Sequence, residues 1–175
     1  KEPRVASLLA DVHGRAEASP DSAERRGELA MAYEVNGFGE AAMVTYAQAS
    51  VLDPSDPRWP YFQARMLARS GELESALEHM GQVLALSGDH VPALMWQGTW
   101  SLALGDVATA ERSFQRAKTL GLGWAAVASL AKIRLHQREA AEALELLEPL
   151  SAQSPFPSVF HLLGTAYRQL GQQTR

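Results

Sequence analysis

Residues 29–54 read LAMAYEVNGFGEAAMVTYAQASVLDP, and the pattern of this stretch returns after 34 residues and again after a further 34. The shift aligns glycines, alanines and large apolar residues in turn: Gly37 with Gly71 and Gly105, Ala42 with Ala76 and Ala110, Tyr46 with Met80 and Phe114, and Ala49 with Val83 and Ala117. A fourth repeat follows one residue early, and a fifth runs from Pro157 to Gly171. A fixed period of this length predicts a chain built from repeated structural units.

Each repeat is predicted to form two helices. In the first repeat, apolar residues recur at three-to-four-residue spacing on both sides of a break at Asn36-Gly37. Asp53-Pro54 ends the second helix, and the later repeats have breaks at 87–89, 121–123 and 154–157. Turns this short join neighbouring helices antiparallel. The glycines Gly37, Gly71, Gly105 and Gly171 are predicted to form turns between helices.

Small residues recur where the two helices of a repeat are expected to approach each other closely. They are Ala30, Ala64, Gly98, Ala131 and Gly164 on the first helices, and Ala42, Ala76, Ala110 and Ala143 on the second helices. A larger side chain at these positions would push the helices apart. Large residues are expected to fill the space around these contacts, namely Tyr33, Tyr46, Phe114, Leu147 and Tyr167.

This spacing resembles the tetratricopeptide repeat (TPR), in which an apolar residue, Leu, a small residue and Tyr precede Ala, an aromatic residue and Pro. The fifth repeat matches with Phe160, Leu163, Gly164 and Tyr167. The departures are polar or small residues at pattern positions: Gln63, Gln97, Ser101, Arg134 and Gly88. The resemblance covers residues 23–171 and implies an all-α solenoid, a right-handed superhelix of antiparallel helix pairs.

The resemblance also divides the chain. Residues 1–22 are expected to hold an N-terminal capping helix around Ala6–Glu17, followed by a repeat array over residues 23–175. The repeats are placed at 23–56, 57–90, 91–123 and 124–156, with a half repeat at 157–171. Because the half repeat lacks a second helix, Phe160, Leu163 and Tyr167 are expected to leave apolar surface exposed at the C-terminal end.

Composition excludes several kinds of chemistry. The 175 residues include no cysteine, which excludes thiolate catalysis, disulfides and cysteine-bound metal clusters. The formal charge is 16 − 20 = −4, with 8 − 14 = −6 in residues 1–90 and 8 − 6 = +2 in residues 91–175. This charge is too weak to indicate nucleic-acid binding. An uncharged stretch such as the twelve residues from Leu120 to Ala131 is too short to cross a membrane.

No motif in the sequence predicts catalysis, and we expect no enzymatic activity, cofactor or bound metal. The five histidines form no metal-ligating pair, and Ser129-Leu-Ala-Lys132 lacks the companion elements of serine–lysine enzymes. The carboxylates Glu139, Glu142, Glu145 and Glu148 are predicted to form a solvated helix face. At least three of Trp59, Trp96, Trp100 and Trp124 are expected to pack between repeats, and Trp100 is the candidate for an exposed ligand anchor.

The resemblance implies that the first helices line a concave groove that binds peptides. It assigns to this groove Arg58, Tyr61, Arg65, Arg69, Met95, Thr99, Leu102, Lys132, His136, His161 and Arg168. Its middle is predicted to be apolar, at Met31, Met95, Leu102 and Leu135. Arginine binds carboxylates and methionine accepts varied apolar groups, so an acidic or amphipathic peptide is the expected ligand. The alternative is that these residues only solvate the groove and that binding uses the convex side, the edges or the ends.

One variant of the family binds the C-terminal tails of chaperones through lysines and asparagines of three first helices. The matching positions here are Gly27, Met31, Phe62, Pro92 and Trp96, so this clamp is absent.

The sequence therefore predicts a protein–protein interaction scaffold. The alternative is an accessory or assembly domain of a larger multidomain enzyme or of a secretion or envelope complex, associating through the open C-terminal end. A homo-oligomer through the same end is a further expectation. The resemblance to bacterial repeat proteins, many of them exported or tethered outside the inner membrane, slightly favours an extracytoplasmic, periplasmic location over the cytoplasm.

Overall fold

A computed structural model describes residues 2–121, 123–153 and 156–173, and within these ranges the chain is all-α, as predicted. The described helices are α1 (Glu2–Glu17), α2 (Ala23–Val35), α3 (Gly39–Leu52), α4 (Arg58–Arg69), α5 (Leu73–Leu86), α6 (Val91–Ala103), α7 (Val107–Thr119), α8 (Gly123–His136), α9 (Ala140–Gln153) and α10 (Pro157–Gln173). Three residues that the sequence predicts in breaks between repeats lie outside the described residues, namely Leu122, Ser154 and Pro155.

The chain divides into two compact units, the N-terminal unit up to Gly88 and the C-terminal unit from Asp89. The N-terminal unit contains α1 and the helix pairs α2–α3 and α4–α5, and the C-terminal unit contains the pairs α6–α7 and α8–α9, followed by α10. Among the described helices, none is long and apolar enough to span a membrane.

Local signals in the sequence account for the helix ends. The side chains of Ser22 and Asp106 accept hydrogen bonds from the backbone N–H groups of Arg25 and Thr109, at 3.2 and 3.0 Å, and so cap α2 and α7. His90 Nδ1 caps α6 in the same way, accepting from the Ala93 N–H at 3.1 Å. These caps begin helices at the positions where the repeat pattern predicts them.

The turn within each helix pair uses a left-handed backbone conformation. Gly37, Gly71 and Gly105 have φ angles of 84°, 87° and 84°, which glycine adopts without a steric penalty. In the fourth repeat the same place in the turn is taken by Arg138, with φ of 65°. The expectation for Gly171 was wrong, because α10 continues through this residue to Gln173.

The core of the N-terminal unit is built from small residues and a few large ones. Ala30, Ala42, Ala49, Tyr46 and Trp59 form one fully buried cluster across α2, α3 and α4. The capping helix α1 begins at Glu2, earlier than predicted, and packs Val12 and Ala16 against Leu29 of α2. Gly27, which the resemblance placed on the groove surface, is instead buried against the Trp59 ring.

The C-terminal unit repeats this construction. Ala110 and Phe114 of α7 pack with Leu130 and Ile133 of α8. A second cluster joins α8, α9 and α10 through Ala128, Ala131, Leu135, Ala140, Ala143, Leu147, Leu150, Val159, Leu162 and Ala166. All the small residues predicted at helix contacts except Gly164 are therefore buried.

Gly98 and Gly164 show where that prediction succeeds and where it fails. A Cβ atom on Gly98 would lie 2.6 Å from Cε1 of the buried Phe114 ring, so only glycine fits at this contact. Gly164 is exposed, and a Cβ atom there would meet nothing within 4 Å. The expectation for Gly164 was wrong because no second helix packs on this face of α10 among the described residues. For the same reason Tyr167, expected to fill a space, is 54% exposed.

The tryptophans also depart from the prediction. Trp59 and Trp100 are buried, whereas Trp96 and Trp124 are 38% and 39% exposed, so fewer than three pack into the core. Trp100, the predicted exposed anchor, is covered because the Trp96 ring stacks on it, with the ring centroids 5.4 Å apart. Trp124 lies against Phe156, with centroids 4.4 Å apart.

We predict opposite effects for Gly98→Ala and Gly164→Ala. Alanine forms helices better than glycine by about 1 kcal/mol, so Gly164→Ala should raise the free energy of unfolding by up to about that amount. At Gly98 the added methyl group collides with Phe114, so Gly98→Ala should lower the free energy of unfolding by about 1–3 kcal/mol. Urea denaturation followed by circular dichroism measures both, and a stabilising Gly98→Ala would contradict the close approach of α6 and α7.

Candidate functional site

The predicted groove residues all reach the surface on first helices. Arg58, Arg69, Thr99, Lys132, His136, His161 and Arg168 are exposed, and Tyr61, Arg65, Met95 and Leu102 are half-buried. The residues of α4 belong to the N-terminal unit and those of α6, α8 and α10 to the C-terminal unit. The first-helix face of each unit is therefore considered separately.

In the N-terminal unit, two of the three predicted arginines are already paired with carboxylates. Arg58 binds both Glu24 of α2 and Asp56, the latter at 2.7 Å from Nη2. Arg69 Nη1 lies 3.0 Å from Glu34 Oε1, also on α2. These pairs offset much of the positive charge that the sequence assigned to this face.

Glu34 is a structural residue rather than a free acid. Besides pairing with Arg69, it accepts a hydrogen bond of 3.0 Å from the hydroxyl of Tyr46. Burial and the charge of Glu34 raise the pKa of Tyr46 well above its ordinary value. Tyr46 therefore stays a neutral donor that joins α3 to the first-helix face of α2.

Arg65 is the predicted arginine of this unit that keeps its charge available. Its guanidinium lies 5.9 Å from the centroid of the Tyr61 ring, and no acid among the described residues forms an ion pair with it. Arg58 also lies over a ring, 4.6 Å from the Trp59 centroid, but it is paired with acids, so Arg65 is the predicted arginine of this face that combines a ring contact with an available charge.

Asp56 fixes the start of α4. Its Oδ1 accepts a hydrogen bond of 2.9 Å from the Arg58 N–H, and its two oxygens also bind the Arg58 guanidinium. Burial raises the pKa of Asp56, but the hydrogen bonds and charge of Arg58 outweigh this effect, so its pKa lies below the ordinary 3.8. The ionised carboxylate therefore stabilises the fold.

We predict that Asp56→Asn lowers the free energy of unfolding by about 1 kcal/mol at about pH 7. Because the folded pKa is depressed, this contribution is present above the ordinary pKa and is lost as the pH falls through the folded pKa. The difference between the two proteins should therefore shrink as the pH falls below 3.8 and disappear once the folded Asp56 is protonated. Asp89→Asn is the control, since Asp89 is 72% exposed and its pair with Arg116 should contribute little. A difference that persists at low pH would contradict the assignment.

The first helices of the C-terminal unit carry no acidic residue. The described sequences of α6, α8 and α10 contain neither aspartate nor glutamate, and α8 and α10 carry arginine and histidine, with lysine in α8. Arg134 points to the second helices, where it pairs with Glu111 at 2.7 Å and Glu142 at 3.1 Å. Lys132 and Arg168 form no ion pair with a described residue, so their charges are not offset.

A pocket of about 200 Å³ lies between α8 and α10. It is lined by Lys132, Leu135, His136, His161, Leu162, Thr165 and Gln169. Three predicted site residues, Lys132, His136 and His161, therefore meet at one place. Leu135 and Leu162, both nearly buried, contribute the apolar part of its wall.

Gln169 contributes a feature that the sequence did not indicate. Its Nε2 donates to the backbone carbonyl of Leu135 at 3.2 Å, while its buried Oε1 has no hydrogen-bond partner among the described residues. A buried acceptor without a donor is energetically unfavourable, but this oxygen is closed to solvent and is not part of the accessible pocket wall. The spacing of Leu135 and Gln169, 34 residues apart, is the signal that could have placed them together.

The remaining predicted residues lie outside this pocket. Met95 and Leu102 of α6 pack against the Phe114 cluster, and the Thr99 hydroxyl donates to the Met95 carbonyl at 2.8 Å. Leu135, predicted as an apolar groove residue, is the exception, because it lines the pocket although it is mostly buried in the core. Arg168 donates to Oγ1 of Thr165 at 3.1 Å, and Thr165 lies one helical turn after His161. Among the described residues, no group of three or more histidines and acids could hold a metal ion.

No protein-family model matches the sequence, and no curated protein sequence is detectably similar to it. Solved structures of TPR proteins match its fold. A tetratricopeptide repeat protein from Parabacteroides merdae is 17% identical, with a TM-score of 0.81 over 99% of this chain and 70% of that chain. YrrB, described as a TPR protein with an unusual peptide-binding site, is 19% identical, with a TM-score of 0.77 over 90% of this chain and 82% of that chain.

The first TPR of Spaghetti (RPAP3), bound to the HSP90 peptide SRMEEVD, is also similar. It is 22% identical, with a TM-score of 0.61 over 66% of this chain and 93% of that chain. Likeness at these identities shows the fold, and the chain has the TPR-like all-α solenoid fold that the repeat pattern predicted.

Proposed function

We propose that this chain is a non-catalytic scaffold that binds an acidic segment of a partner protein on the first-helix face of its C-terminal unit. The pocket between α8 and α10 anchors the segment. The observation that carries the proposal is the meeting of Lys132, His136 and His161 in that pocket, on helices without a single carboxylate.

Charge favours an acidic ligand at this face. Lys132 and Arg168 have no acidic partner among the described residues, whereas Arg134 of the same helix as Lys132 is already bound to glutamates. A ligand carboxylate beside Lys132 would gain a charge-assisted hydrogen bond without displacing an internal ion pair. The imidazoles of His136 and His161 supply further N–H donors.

The other groups of the pocket suit a peptide. Leu135 and Leu162 line the pocket and can contact the methylene groups of a glutamate or aspartate. A carboxylate on short methylene groups is the side chain of an acidic residue, which a peptide segment can present to the pocket.

The solved relatives support a peptide as the ligand class. YrrB is described as having a peptide-binding site, and the RPAP3 repeat is bound to a peptide with two glutamates and a C-terminal aspartate. The chaperone-tail clamp itself is not proposed here, because Gly27, Met31, Phe62, Pro92 and Trp96 stand at its positions. The acidic partner is therefore a different protein.

A second candidate function is assembly into a larger complex through α10. Phe160 and Tyr167 are 53% and 54% exposed on this helix. Tyr167 donates to Glu148 Oε1 at 2.8 Å and is therefore held in place, which favours a preformed contact surface. Association here would make the chain an accessory domain whose partner covers the α10 face.

The proposal is tested by site-specific photocrosslinking. Benzoylphenylalanine replaces Ser158, which is exposed one turn before His161, and in a control protein it replaces Arg112, which is exposed on the second helix α7. Each protein is irradiated with fractionated lysate of the source organism, and the fraction that supplies the partner also gives the compartment.

We expect one cross-linked protein from position 158 and none from position 112. Adding Lys132→Glu should weaken the cross-link about tenfold, because a carboxylate then faces the acidic ligand. Equal cross-linking with and without Lys132→Glu would contradict the proposed anchor. Cross-links that are instead lost on Phe160→Glu would favour the assembly surface of α10.

A further inference from the structure

The outward face of α3 is apolar and exposed. Val44 and Val51 are 60% and 81% exposed, and Ala47 and Gln48 between them are exposed as well. The residues of α3 that pack into the core, Ala42, Thr45, Tyr46 and Ala49, lie on the opposite side of the helix. Residues 41–52 contain no charged side chain. Exposed valines over two turns of a helix, within a stretch of twelve uncharged residues, form a contiguous apolar patch of the kind that marks an interaction surface.

The other repeats show that the fold does not require this face to be apolar. The positions equivalent to Val44 in the later repeats are Glu78, Arg112 and Glu145. All three are exposed and charged. Since the second helices tolerate a charge at this position, the valine in α3 is explained by something other than helix packing.

The exposed face forms one wall of a groove of about 590 Å³ within the N-terminal unit. One side of the groove is formed by α3, through Val44, Ala47, Gln48, Val51 and Leu52. The other side is formed by Pro20 and Arg26. No acidic residue lines the groove. Arg26 forms no ion pair with any acid of the described chain, in contrast to its neighbour Arg25, which pairs with Glu28 at 2.9 Å.

We propose that this groove binds an amphipathic helix of a partner protein, which places an apolar stripe on the valines and a carboxylate on Arg26. Val44 and Val51 are seven residues apart, which corresponds to about 10 Å along a helix. This length matches the apolar residues i, i+3, i+4 and i+7 of a partner helix. Arg26 at the edge of the groove gives the partner an orientation as well as a charge.

A second copy of the chain fits this groove less well. Two copies that met through α3 would leave Arg26 of each copy without an acid to pair with, because neither the lining of the groove nor residues 41–52 contain one among the described residues. Two turns of helix also bury much less than the 1,200 Å² or so of a stable interface. The complementary partner is therefore an acidic amphipathic helix.

The test selects binders from a phage-displayed library of helical peptides of about 14 residues, with apolar residues fixed at i, i+3, i+4 and i+7 and every other position randomised. Binding of the selected peptides is measured by fluorescence anisotropy with the wild type, Val44→Glu and Arg26→Glu. Val44→Glu introduces the residue that two other repeats have at this position, so it should fold normally. Arg112→Glu, at the equivalent position of α7, is the matched control.

We expect selected peptides to be enriched in aspartate or glutamate at one position beside the apolar stripe. Val44→Glu should weaken their binding about tenfold, Arg112→Glu should leave it unchanged, and Arg26→Glu should reverse the preference so that a peptide with lysine at that position binds better. Peptides that bind the wild type and Val44→Glu equally would overturn the proposal. So would sedimentation showing a wild-type dimer that Val44→Glu dissociates, since the occupant would then be a second copy.

The inference is independent of the pocket between α8 and α10. Lys132 lies in the C-terminal unit, so Lys132→Glu should leave binding of these peptides to the N-terminal unit unchanged. Loss of binding with Lys132→Glu would mean that the peptides occupy the α8–α10 pocket, which would overturn the proposal for α3 and support the proposed function.

Discussion

The contact between small residues of the first and second helix in each repeat is the constraint on which the rest of the structure depends. Ala30, Ala42 and Ala49 are fully buried with Tyr46 in one cluster, and Gly98 leaves room only for the ring of Phe114. Because these helices meet through alanine and glycine, they approach closely and bury their backbones together. The few large buried side chains then supply most of the apolar area that stabilises each unit.

This way of packing leaves the long side chains of the first helices at the surface, where charge decides what they do. In the N-terminal unit, Arg58 and Arg69 turn to acids of the preceding first helix and tie α4 to α2. In the C-terminal unit the first helices have no acids, so Lys132 faces a pocket with its charge available. The first-helix face of the N-terminal unit thus uses its arginines to hold repeats together, and the face of the C-terminal unit is the one that we propose binds a carboxylate.

Most of the fold, and part of the candidate site, could be predicted from the sequence. The 34-residue period placed the helices, the turns and the buried alanines, because these depend on contacts within a repeat. Trp100 was misjudged because its exposure depends on how the Trp96 ring stacks, and spacing along a helix does not determine this. The pairing of Glu24 with Arg58 was overlooked although both stand at the same position of successive repeats. The missing hydrogen-bond partner of Gln169 Oε1 depends on tertiary geometry, whereas the 34-residue spacing that places Gln169 beside Leu135 is present in the sequence.

The measurement that tests the central claim most directly is hydrogen–deuterium exchange of the whole chain, alone and with its cross-linked partner identified and added in excess. If the acid-free first helices bind the partner, we expect backbone amide exchange to slow in α8 and α10 around Lys132 and His161 and to stay unchanged in α7 and α9. Exchange that slows only in α7 and α9, or nowhere in α8 and α10, would contradict the claim that the acid-free first helices bind the partner.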